Sequence, residues 1–416
     1  MKAGTGATRP RLTPNPSRCA LLISENETVP LDRRVWNECR TLRQAGWEVA
    51  VVCPRGRDRW TASEEVIDGI EIHRYPLRPA DGALGYVREY AQAMVRIRRL
   101  VRRLARTRHF DVVHAANPPD CLLLAVRFLR RGGTRFVFDH HDLVPELYRD
   151  RFAAGDGPPY RATRLLEALA FKLADVSIAT NDSYRRIAIE RGRMPPEDVF
   201  VVRNGPDLAR FRPAAADPTL RRGRTHLLAY VGVMGPQDGV DHAVRALAYL
   251  RRRRRDWHAI FVGDGDAMQS MVELAASLGL DHAAEFVGWR EDADITRILC
   301  TADVCLAPDP PSEFNKRSTM IKITEYLAMG CAVVSYDLEE SRVSAGPAAS
   351  YALSGDPQDL AVCIDQLLSD PQRRARMGRL GRERAEERLA WRHAEPELLA
   401  AYDRVLAKRA VAGLAA

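Results

Sequence analysis

The 416-residue sequence has no apolar stretch long enough to cross a bilayer as a helix, which requires about 20 apolar residues. Residues 1–17 contain no apolar core of the kind found in signal peptides, and they predict a flexible tail. The eight cysteines form no Cys-x-x-Cys pair, and most of them lie in apolar runs. We therefore predict buried thiols in a reducing cytoplasm, without a disulfide framework or a zinc site.

Acidic and aromatic residues are comparatively few. Lys and Arg number 63 against 55 Asp and Glu, which gives a formal net charge of +8. This excess fits an acidic substrate, an anionic membrane surface or nucleic acid, and equally a composition that merely favours arginine. Aromatic residues make up only 7% and do not alternate with basic residues, which argues against nucleic acid as a partner.

Short apolar runs rich in β-branched residues alternate with helical patterns along the whole sequence. Runs with so little polar alternation are typical of strands covered on both faces, and their alternation with helices predicts an α/β fold with parallel sheets. The predicted strands are 19–24, 48–53, 111–116, 135–140, 176–180 and 199–205 in the first half, and 226–232, 258–265, 284–288, 304–308 and 332–337 in the second.

Residues 206–225 separate the two halves and have no helical period, so we predict a linker there. The flanking parts predict two doubly wound, Rossmann-like domains, 18–205 and 226–390, that face each other across a central cleft. Residues 391–416 have a helical pattern. Ligands of such sheets bind outside the carboxyl ends of the strands, so the cleft is the predicted binding site.

The stretch NKRSTMIKITEYLAMG (315–330) predicts a helix that begins near Ser318. The side chains of Ser318, Lys322 and Glu325 have the spacing i, i+4, i+7, which places them on one helical face. A helix start capped by Ser318 or Thr319 favours an anion such as a phosphate, and Glu325 can accept hydrogen bonds from a diol such as that of ribose. The alternative is a capped helix whose polar face is only solvated.

The segment TEYLAMGCAVVSYD (324–337) resembles the donor-site segment of the retaining glycosyltransferases of family 4, which have the GT-B fold. Further segments are similar to that family and follow its order along the chain: DVVHAANPPD (111–120), VVRNGPDLARFRP (201–213), YVGVMGPQDGVD (230–241), FVGDGD (261–266) and EFVGW (285–289). The terminal segment WRHAEPELLAAYDRVL (391–406) resembles the helix that crosses back to the first domain in this fold.

The resemblance implies roles for several residues. Glu325 matches the second glutamate of the family's E-x7-E motif, which holds the ribose of the nucleotide. Five residues match loops that surround the base: Gly263, Gly265, Gly288, Trp289 and Arg290. The alternative for such glycines is an ordinary tight turn between a strand and a helix.

The sequence also departs from the family's pattern. Arg317 stands where the first glutamate of the motif is expected, and Val233 and Asp238 stand where typical members have an Arg and a Lys that neutralise the diphosphate. We predict that Lys316, Arg317 and Lys322 supply this positive charge from the helix start instead, with Arg317 and Lys322 taking part in catalysis.

The segment DHHDLVPELY (139–148) follows a predicted strand and brings polar groups to the cleft side of the first domain: His140, His141, Asp142 and Glu146. A structural histidine that bonds to the backbone is the alternative interpretation. The resemblance implies a histidine contact with the transferred sugar, and we predict His141 for it; His114 is a weaker candidate.

Residues 86–108 predict a basic amphipathic helix, because apolar residues recur every three or four positions and eight arginines fill the other faces. Such a helix can rest on anionic lipid, or it can pack on the core with a solvated arginine face.

Together these features predict a cytoplasmic, retaining glycosyltransferase of GT-B fold, peripheral on the inner membrane face if the basic helix binds lipid. It would move a sugar from a nucleoside-diphosphate donor, with UDP favoured, to a glycan, lipid-linked or small-molecule acceptor. No metal and no cofactor beyond the nucleotide-sugar co-substrate are expected. Segments of the type STM-x-K and HHDLVPE resemble a bacterial subgroup associated with surface polysaccharides. The alternatives are a sugar-nucleotide 2-epimerase of the same fold and a non-catalytic nucleotide-sugar-binding partner.

Overall fold

The computed structural model describes residues 18–56, 59–78, 82–152 and 155–414. The predicted tail, 1–17, lies outside the described residues. Within them the chain forms two β-sheets in sequence, each covered by helices on both faces.

The first domain contains a sheet of eight strands within the described residues: β1 Cys19–Ser24, β2 Glu48–Pro54, β3 Glu64–Ile67, β4 Ile70–Tyr75, β5 Val112–Ala116, β6 Arg135–His140, β7 Val176–Ala179 and β8 Val199–Val201. Their order across the sheet is β3-β4-β2-β1-β5-β6-β7-β8, and every pair is parallel except β3 with β4. Its helices are α1 Arg33–Gln44, α2 Gly82–Leu104, α3 Leu122–Val126, α4 Val144–Phe152, α5 Pro158–Leu173 and α6 Asp182–Glu190.

Strand β1 shows why these runs are apolar at every position. Leu21 and Ile23 face the core beneath α2, whereas Ala20 and Leu22 face the core beneath α1. Successive side chains of a strand point to opposite faces, so a strand covered on both faces needs apolar residues throughout.

The second domain contains a sheet of six strands within the described residues: β9 His226–Val231, β10 Trp257–Val262, β11 Ala284–Gly288, β12 Val304–Ala307, β13 Val333–Tyr336 and β14 Ala349–Ala352. All of its pairs are parallel, in the order β11-β10-β9-β12-β13-β14. Its helices are α7 Val240–Arg253, α8 Met268–Ser277, α9 Asp292–Thr301, α10 Ile321–Ala328, α11 Glu339–Ala345, α12 Pro357–Ser369 and α13 Pro371–Arg384.

The last helix, α14 (Glu395–Leu414), packs on the first sheet and not on the second. Its residues Leu398, Tyr402 and Val405 lie in the first domain's core. Just before it, the indole N–H of Trp391 donates to the hydroxyl of Thr41 in α1 (2.9 Å). The two domains are therefore joined twice, by the chain between β8 and β9 and by α14.

The predicted architecture of two doubly wound domains is confirmed, but three strands were missed. Strands β3 and β4 form an antiparallel hairpin at the sheet edge, turning at Asp68 (φ +52°) and Gly69 (φ +75°). Strand β3 is half exposed, so it lacks the continuous apolar run of a buried strand. Strand β14 consists of Ala, Ser and Tyr and carries no β-branched residue.

The predicted basic helix exists as α2, which begins at Gly82 and ends at Leu104. Its apolar side packs into the first domain's core through Ala93, Ile97 and Val101. In the described part of the chain, no helix combines the length and the apolar character that a bilayer crossing requires.

Candidate active site

Helix α10 and the loop before it lie against the first domain. The guanidinium of Arg33, at the start of α1, donates from Nη1 to Oε1 of Glu325 in α10 (2.6 Å). Phe314, in the preceding loop, is 9% exposed and belongs to the first domain's core cluster. In the predicted cleft, the two domains thus contact each other directly beside the residues predicted to bind the donor.

Helix α10 begins at Ile321, so the prediction of a helix starting near Ser318 is wrong. The backbone N–H groups of Arg317 and Ser318 both donate to the carbonyl of Phe314 (3.1 Å each), which closes a separate turn. Met320 then has φ −75° and ψ 108° and is the N-cap, and no side chain caps the helix. Ser318 therefore precedes the helix and does not share a helical face with Lys322 and Glu325.

The hydroxyls of Ser318 and Thr319 bond to the first domain. Ser318 Oγ donates to the carbonyl of Phe314 (2.8 Å) and is 2.8 Å from the hydroxyl of Tyr184 in α6. Thr319 Oγ1 accepts a hydrogen bond from the side-chain amide of Asn181 (2.9 Å), which also donates to the carbonyl of Arg317 (2.8 Å). The prediction that Ser318 or Thr319 caps the helix is therefore wrong, because other partners hold both hydroxyls.

Glu325 is 7% exposed and faces the other domain. Burial raises its carboxyl pKa, and the nearby guanidinium groups of Arg33 and Arg210 partly oppose that rise. Arg33 is 41% exposed and also lies 3.7 Å from a carboxylate oxygen of Asp292. The carboxylate that we predict to bind ribose thus has a cation from the opposite domain as its partner.

Lys322 is 9% exposed and is held by two carboxylates of its own domain. Its Nζ lies 2.6 Å from Asp309 and 3.7 Å from Asp238, and it donates to the hydroxyl of Tyr230 (3.5 Å). Burial alone lowers the pKa of Lys322, but Asp309, Tyr230 and Asp238 outweigh it and raise the pKa, so the ammonium stays charged at neutral pH. Lys322 is therefore paired within its own domain, and its predicted role at the diphosphate stays a prediction.

Lys316 and Arg317 are exposed and share a carboxylate in the loop before the helix. Arg317 Nη1 lies 2.7 Å from Glu313 Oε2, and Lys316 Nζ lies 3.6 Å from Glu313 Oε1. Both pairs are local and solvent-exposed, which makes them weak, so either cation can turn to another anion at small cost.

The glycines predicted beside the base lie where two backbones meet. Gly263 has φ +133°, and a Cβ there would lie 1.8 Å from the carbonyl oxygen of Gly232. Its N–H donates to the carbonyl of Gly288 (3.0 Å), which has φ +70°. Gly263 is thus required by a close approach and Gly288 by its backbone conformation. The hydrogen bond joins the ends of β10 and β11 into one surface.

Trp289 and Arg290 follow β11 on the same surface. The Trp289 side chain is 54% exposed, and the guanidinium of Arg59 from the first domain lies 6.0 Å from its ring centre. Arg290 Nη1 donates to the carbonyl of Trp289 (2.9 Å). An exposed indole at the mouth of the cleft presents a flat apolar face of the kind on which a base stacks.

His141 lies at the carboxyl end of β6, in the first domain. Its Nδ1 is 3.1 Å from Oδ2 of Asp139, and its backbone N–H donates to the side-chain oxygen of Asn117 (2.8 Å). Burial lowers the pKa of His141, but the Asp139 carboxylate outweighs burial and raises the pKa to about 9. The imidazole is therefore a charged donor at neutral pH, and its side chain is 16% exposed.

The other candidates near His141 have structural partners. His140 is fully buried among the rings of Phe138, Phe171 and Tyr184, which identifies it as a core residue. His114 is also fully buried, and its Nδ1 lies 3.1 Å from the hydroxyl of Tyr402 in α14.

The two acidic candidates of this segment, Asp142 and Glu146, differ in their partners. Glu146 is paired with Arg191, whereas burial raises the pKa of Asp142 and the two neighbouring histidines oppose that rise.

Beneath His141, three groups have the spacing of a metal site: Glu38, His114 and Asp139 each offer a ligand atom within 4.8 Å of the others. The guanidinium of Arg34, however, donates to both oxygens of Asp139 (2.7 and 2.8 Å) and lies 3.4 Å from Glu38. A metal ion would therefore face a fixed cation. The group is better described as a buried charge network that orients His141 through Asp139.

Arg33 and Asn181 are site residues that sequence reasoning missed. A signal for each was present: Arg33 opens α1 just after the first strand, and Asn181 follows β7 as the N-cap of α6, accepting from the N–H of Tyr184 (2.8 Å). Both therefore lie at carboxyl ends of parallel strands, where ligands bind.

Two family models match consecutive parts of the chain. Residues 31–210 match the model of Glycosyltransferase Family 4, and residues 225–370 match that of Glycosyl transferases group 1. Among curated proteins, a D-inositol 3-phosphate glycosyltransferase of Salinispora tropica is 28% identical over 323 residues. That match covers 72% of this chain and 65% of the relative, slightly less than two thirds of its length.

Solved structures show the same fold. The sucrose-phosphate synthase of Thermosynechococcus elongatus has a TM-score of 0.78 at 18% identity, covering 94% of this chain and 100% of that one. The structure of Anabaena HepE in complex with UDP-glucose has a TM-score of 0.68 at 16% identity, covering 92% and 98%. The two sheets, the returning helix α14 and both family models agree: the chain belongs to the glycosyltransferases of the family 4 type and has the GT-B fold.

Proposed function

We propose that this glycosyltransferase moves a sugar from a nucleoside-diphosphate donor to a glycan, lipid-linked or small-molecule acceptor, with retention of the anomeric configuration. The observation that carries the proposal is Glu325, a buried carboxylate on α10 that faces the opposite domain. Its position in the sequence is that of the family's ribose-binding glutamate. A UDP donor is favoured because a structure of the same fold is of a complex with UDP-glucose.

In this proposal the second domain binds the donor. Glu325 accepts hydrogen bonds from the ribose diol, and the base lies against the surface formed by Gly263, Gly288, Trp289 and Arg290. The diphosphate lies near the start of α10, where backbone N–H groups point outward and the helix dipole favours an anion. Lys316 and Arg317 stand before that helix start, held only by Glu313, and Lys322 lies in its first turn, paired with Asp309. Arg33 of the first domain would add a further cation once the ribose takes its partner Glu325.

The chemical step follows from these charges. Negative charge grows on the diphosphate as the glycosidic bond breaks, and fixed cations and dipoles stabilise it more in the transition state than in the ground state. The acceptor hydroxyl attacks from the face that the diphosphate leaves. The charged imidazole of His141 donates a hydrogen bond to the transferred sugar and holds it in the cleft. The proposal includes no protein nucleophile and no metal ion, as the family resemblance implies.

The location that fits is the cytoplasmic face of a membrane, with a role in bacterial surface-polysaccharide assembly. Contact with lipid would be electrostatic, because the apolar side of α2 is already used in the core and its arginine side is left outside. Co-sedimentation with vesicles containing anionic lipid, lost at high salt, is the expected behaviour. Equal binding to neutral vesicles would contradict it.

Incubation with a panel of nucleotide sugars and acceptors tests the main proposal. We expect nucleoside-diphosphate release that depends on acceptor, a product whose anomeric proton coupling equals that of the donor, and loss of both in Glu325→Gln. Release of an altered free sugar without acceptor would indicate epimerase-like chemistry, and binding without turnover would indicate a non-catalytic partner. The relatives named above are transferases and synthases, so they favour neither alternative.

A further inference from the structure

A cavity of about 380 Å³ lies in the first domain, between α2 and the carboxyl ends of β2 and β4. It is on the same edge of the sheet as His141, separated from it by strands β1 and β5. One acidic residue lines it, Glu64. The other charged lining residues are five arginines: Arg55, Arg74, Arg96, Arg99 and Arg103. We call it the arginine pocket.

Only two of these arginines are neutralised. Arg74 is paired with Glu65 (2.8 Å), and Arg103 is paired with Glu64. Arg96 donates to the carbonyl of Pro76. Over the described ranges, the side chains of Arg55 and Arg99 make no hydrogen bond and no ion pair. Three guanidinium groups therefore line one hollow without a carboxylate partner.

The helix does not gain from this arrangement by itself. Arg96, Arg99 and Arg103 have the spacing i, i+3, i+7 and share one helical face, where like charges repel each other and destabilise the helix. The opposite side of α2 packs into the core through Ile97 and Val101, so the packing does not require the arginines. A bound anion would convert this repulsion into attraction.

Tyr75 is a second, independent sign of a ligand. It lines the arginine pocket at the end of β4 and is 3% exposed. Its hydroxyl is buried and has no hydrogen-bond partner within the described residues. A buried hydroxyl without a partner is destabilising, so a polar ligand atom within its reach would supply the missing hydrogen bond.

We propose that the arginine pocket binds a phosphate or diphosphate group carried by the acceptor. This deepens the proposed function, on which it rests, because it places a phosphorylated end of the acceptor in the first domain and its hydroxyl towards the cleft. Guanidinium groups bind phosphate oxygens in pairs, and the volume lies within the range of small-ligand sites. The phosphate has two sources, a lipid headgroup or a phosphorylated acceptor in solution.

Calorimetric titration with inorganic pyrophosphate tests the site without requiring turnover. The test variant is Arg55→Gln/Arg99→Gln, and the matched control is Arg102→Gln/Arg106→Gln, which removes the same charge from residues lining a neighbouring hollow beside Phe128. We expect at least tenfold weaker binding in the test variant and less than twofold change in the control. Unchanged binding in the test variant, or equal weakening in both, would overturn the proposal.

Hydrogen exchange separates this site from the donor's diphosphate site. Pyrophosphate should protect residues 59–78 and 93–104 in the parent, and this protection should vanish in the test variant while any protection at 309–322 remains. If only 309–322 is protected, the arginine pocket is not an anion site. If the double variant fails to fold, the single variants Arg55→Lys and Arg99→Lys replace it. Each keeps the positive charge but loses the paired N–H donors of the guanidinium, and each should weaken pyrophosphate binding two- to fivefold.

Vesicles of phosphatidylcholine and phosphatidylglycerol (70:30) identify the source. If the parent binds them and pyrophosphate releases it, while the test variant does not bind, the pocket holds a lipid phosphate. If pyrophosphate protects the pocket but the parent does not bind the vesicles, the phosphate belongs to an acceptor in solution and not to a lipid. None of these measurements needs a sugar donor. They therefore still decide whether the arginine pocket binds phosphate if the glycosyl-transfer proposal fails.

Discussion

The two domains neutralise their cations differently. In the second domain each cation near α10 has a carboxylate of the same domain: Lys322 has Asp309, and Arg317 has Glu313. In the first domain Arg55 and Arg99 have no such partner within the described residues, and Arg33 finds its partner across the cleft. The cations near α10 are thus paired without ligand, whereas the first domain keeps arginines that have no carboxylate partner of their own domain within the described residues.

This difference bears on how a diphosphate can be neutralised. Lys322 lies between Asp309 and Asp238, so the three groups together carry no excess of positive charge. Arg33 is more exposed, and its partner Glu325 is the carboxylate that the ribose would take. When the diol displaces Arg33, the guanidinium becomes free beside the donor. The cation that replaces the family's loop Arg and Lys would then come from the first domain.

The largest effect is expected where the second domain's own pairing is broken. Lys322→Met removes the cation that lies between the carboxylates of Asp309 and Asp238, whose side chains are 2% and 17% exposed. Removing one partner of a buried pair costs about 3–5 kcal/mol. At roughly 2–4 °C per kcal/mol for a domain of this size, the melting temperature should fall by about 6–20 °C.

Replacing a carboxylate as well provides the control for that loss. In Lys322→Met/Asp309→Asn one uncompensated charge is gone, and we expect most of the lost melting temperature to return. If Lys322→Met alone melts within 2 °C of the parent, the pairing does not stabilise the domain, and the contrast drawn between the two domains fails.

The next effect concerns His141, whose pKa is raised from the usual 6.5 to about 9 by Asp139 against the opposing effect of burial. A raised pKa means that protonation stabilises the folded state. The contribution is complete below pH 6.5 and is lost as the pH rises through 9. The shift corresponds to about 3 kcal/mol. Nuclear magnetic resonance of labelled histidines, with His141→Gln assigning the signal, should show this titration near pH 9; a value near 6.5 would refute the Asp139 pair.

How much the sequence could predict depended on the range of the interaction. Strands such as β1 were predictable because both faces are buried, so the signal lies within six residues. The position of Glu325 at the cleft was predictable because it lies in one continuous segment, 324–337, whereas its contact with ribose stays a prediction. The start of α10 was not, since Ser318 and Thr319 look like a cap by local rules, and only the first domain shows where their hydroxyls go.

The position of Arg33 after the first strand marked it as a site candidate, but its partner could not have been assigned by any local pattern. That partner, Glu325, is 292 positions away. The same holds for the arginine pocket, whose walls come from four separate segments. Sequence patterns predicted elements and motifs, whereas the pairing of charges required the assembled fold.

Glu325→Gln tests the donor side directly. A charge-assisted hydrogen bond contributes about 1.5–3 kcal/mol, so the affinity for the nucleoside diphosphate should fall about tenfold to 100-fold. Calorimetry with UDP measures this, and the melting temperature reports whether the fold is intact. Unchanged affinity would mean that Glu325 does not hold the ribose.

Arg33→Gln tests whether the missing cation comes from the first domain. We expect kcat/KM for the donor to fall about tenfold, which is about 1.4 kcal/mol of transition-state stabilisation. The melting temperature should barely change, because partly exposed ion pairs contribute about 0–1 kcal/mol. Arg40→Gln is the matched control, since Arg40 lies on the same helix and pairs with Asp207 at 3.8 Å. A faster Arg33→Gln enzyme would show instead that Arg33 only competes with the ribose.

The smallest expected effect decides what the loop before α10 does. Thr319 Oγ1 accepts from Asn181 across the cleft (2.9 Å), so Thr319→Val should remove one interdomain hydrogen bond worth about 0.5–1.5 kcal/mol and keep the shape of the side chain. If the hydroxyl serves only this contact, the variant should melt a few degrees lower, and its affinity for UDP should change less than twofold. Asn181→Ala should have a larger effect, because it also removes the bond to the carbonyl of Arg317 and the cap of α6. The double variant should be no worse than Asn181→Ala alone, because the bond to Thr319 is already lost there. A tenfold loss of UDP affinity in Thr319→Val, absent from Asn181→Ala, would restore Thr319 as a donor-binding residue and would mean that the loop turns away from the first domain when the donor binds.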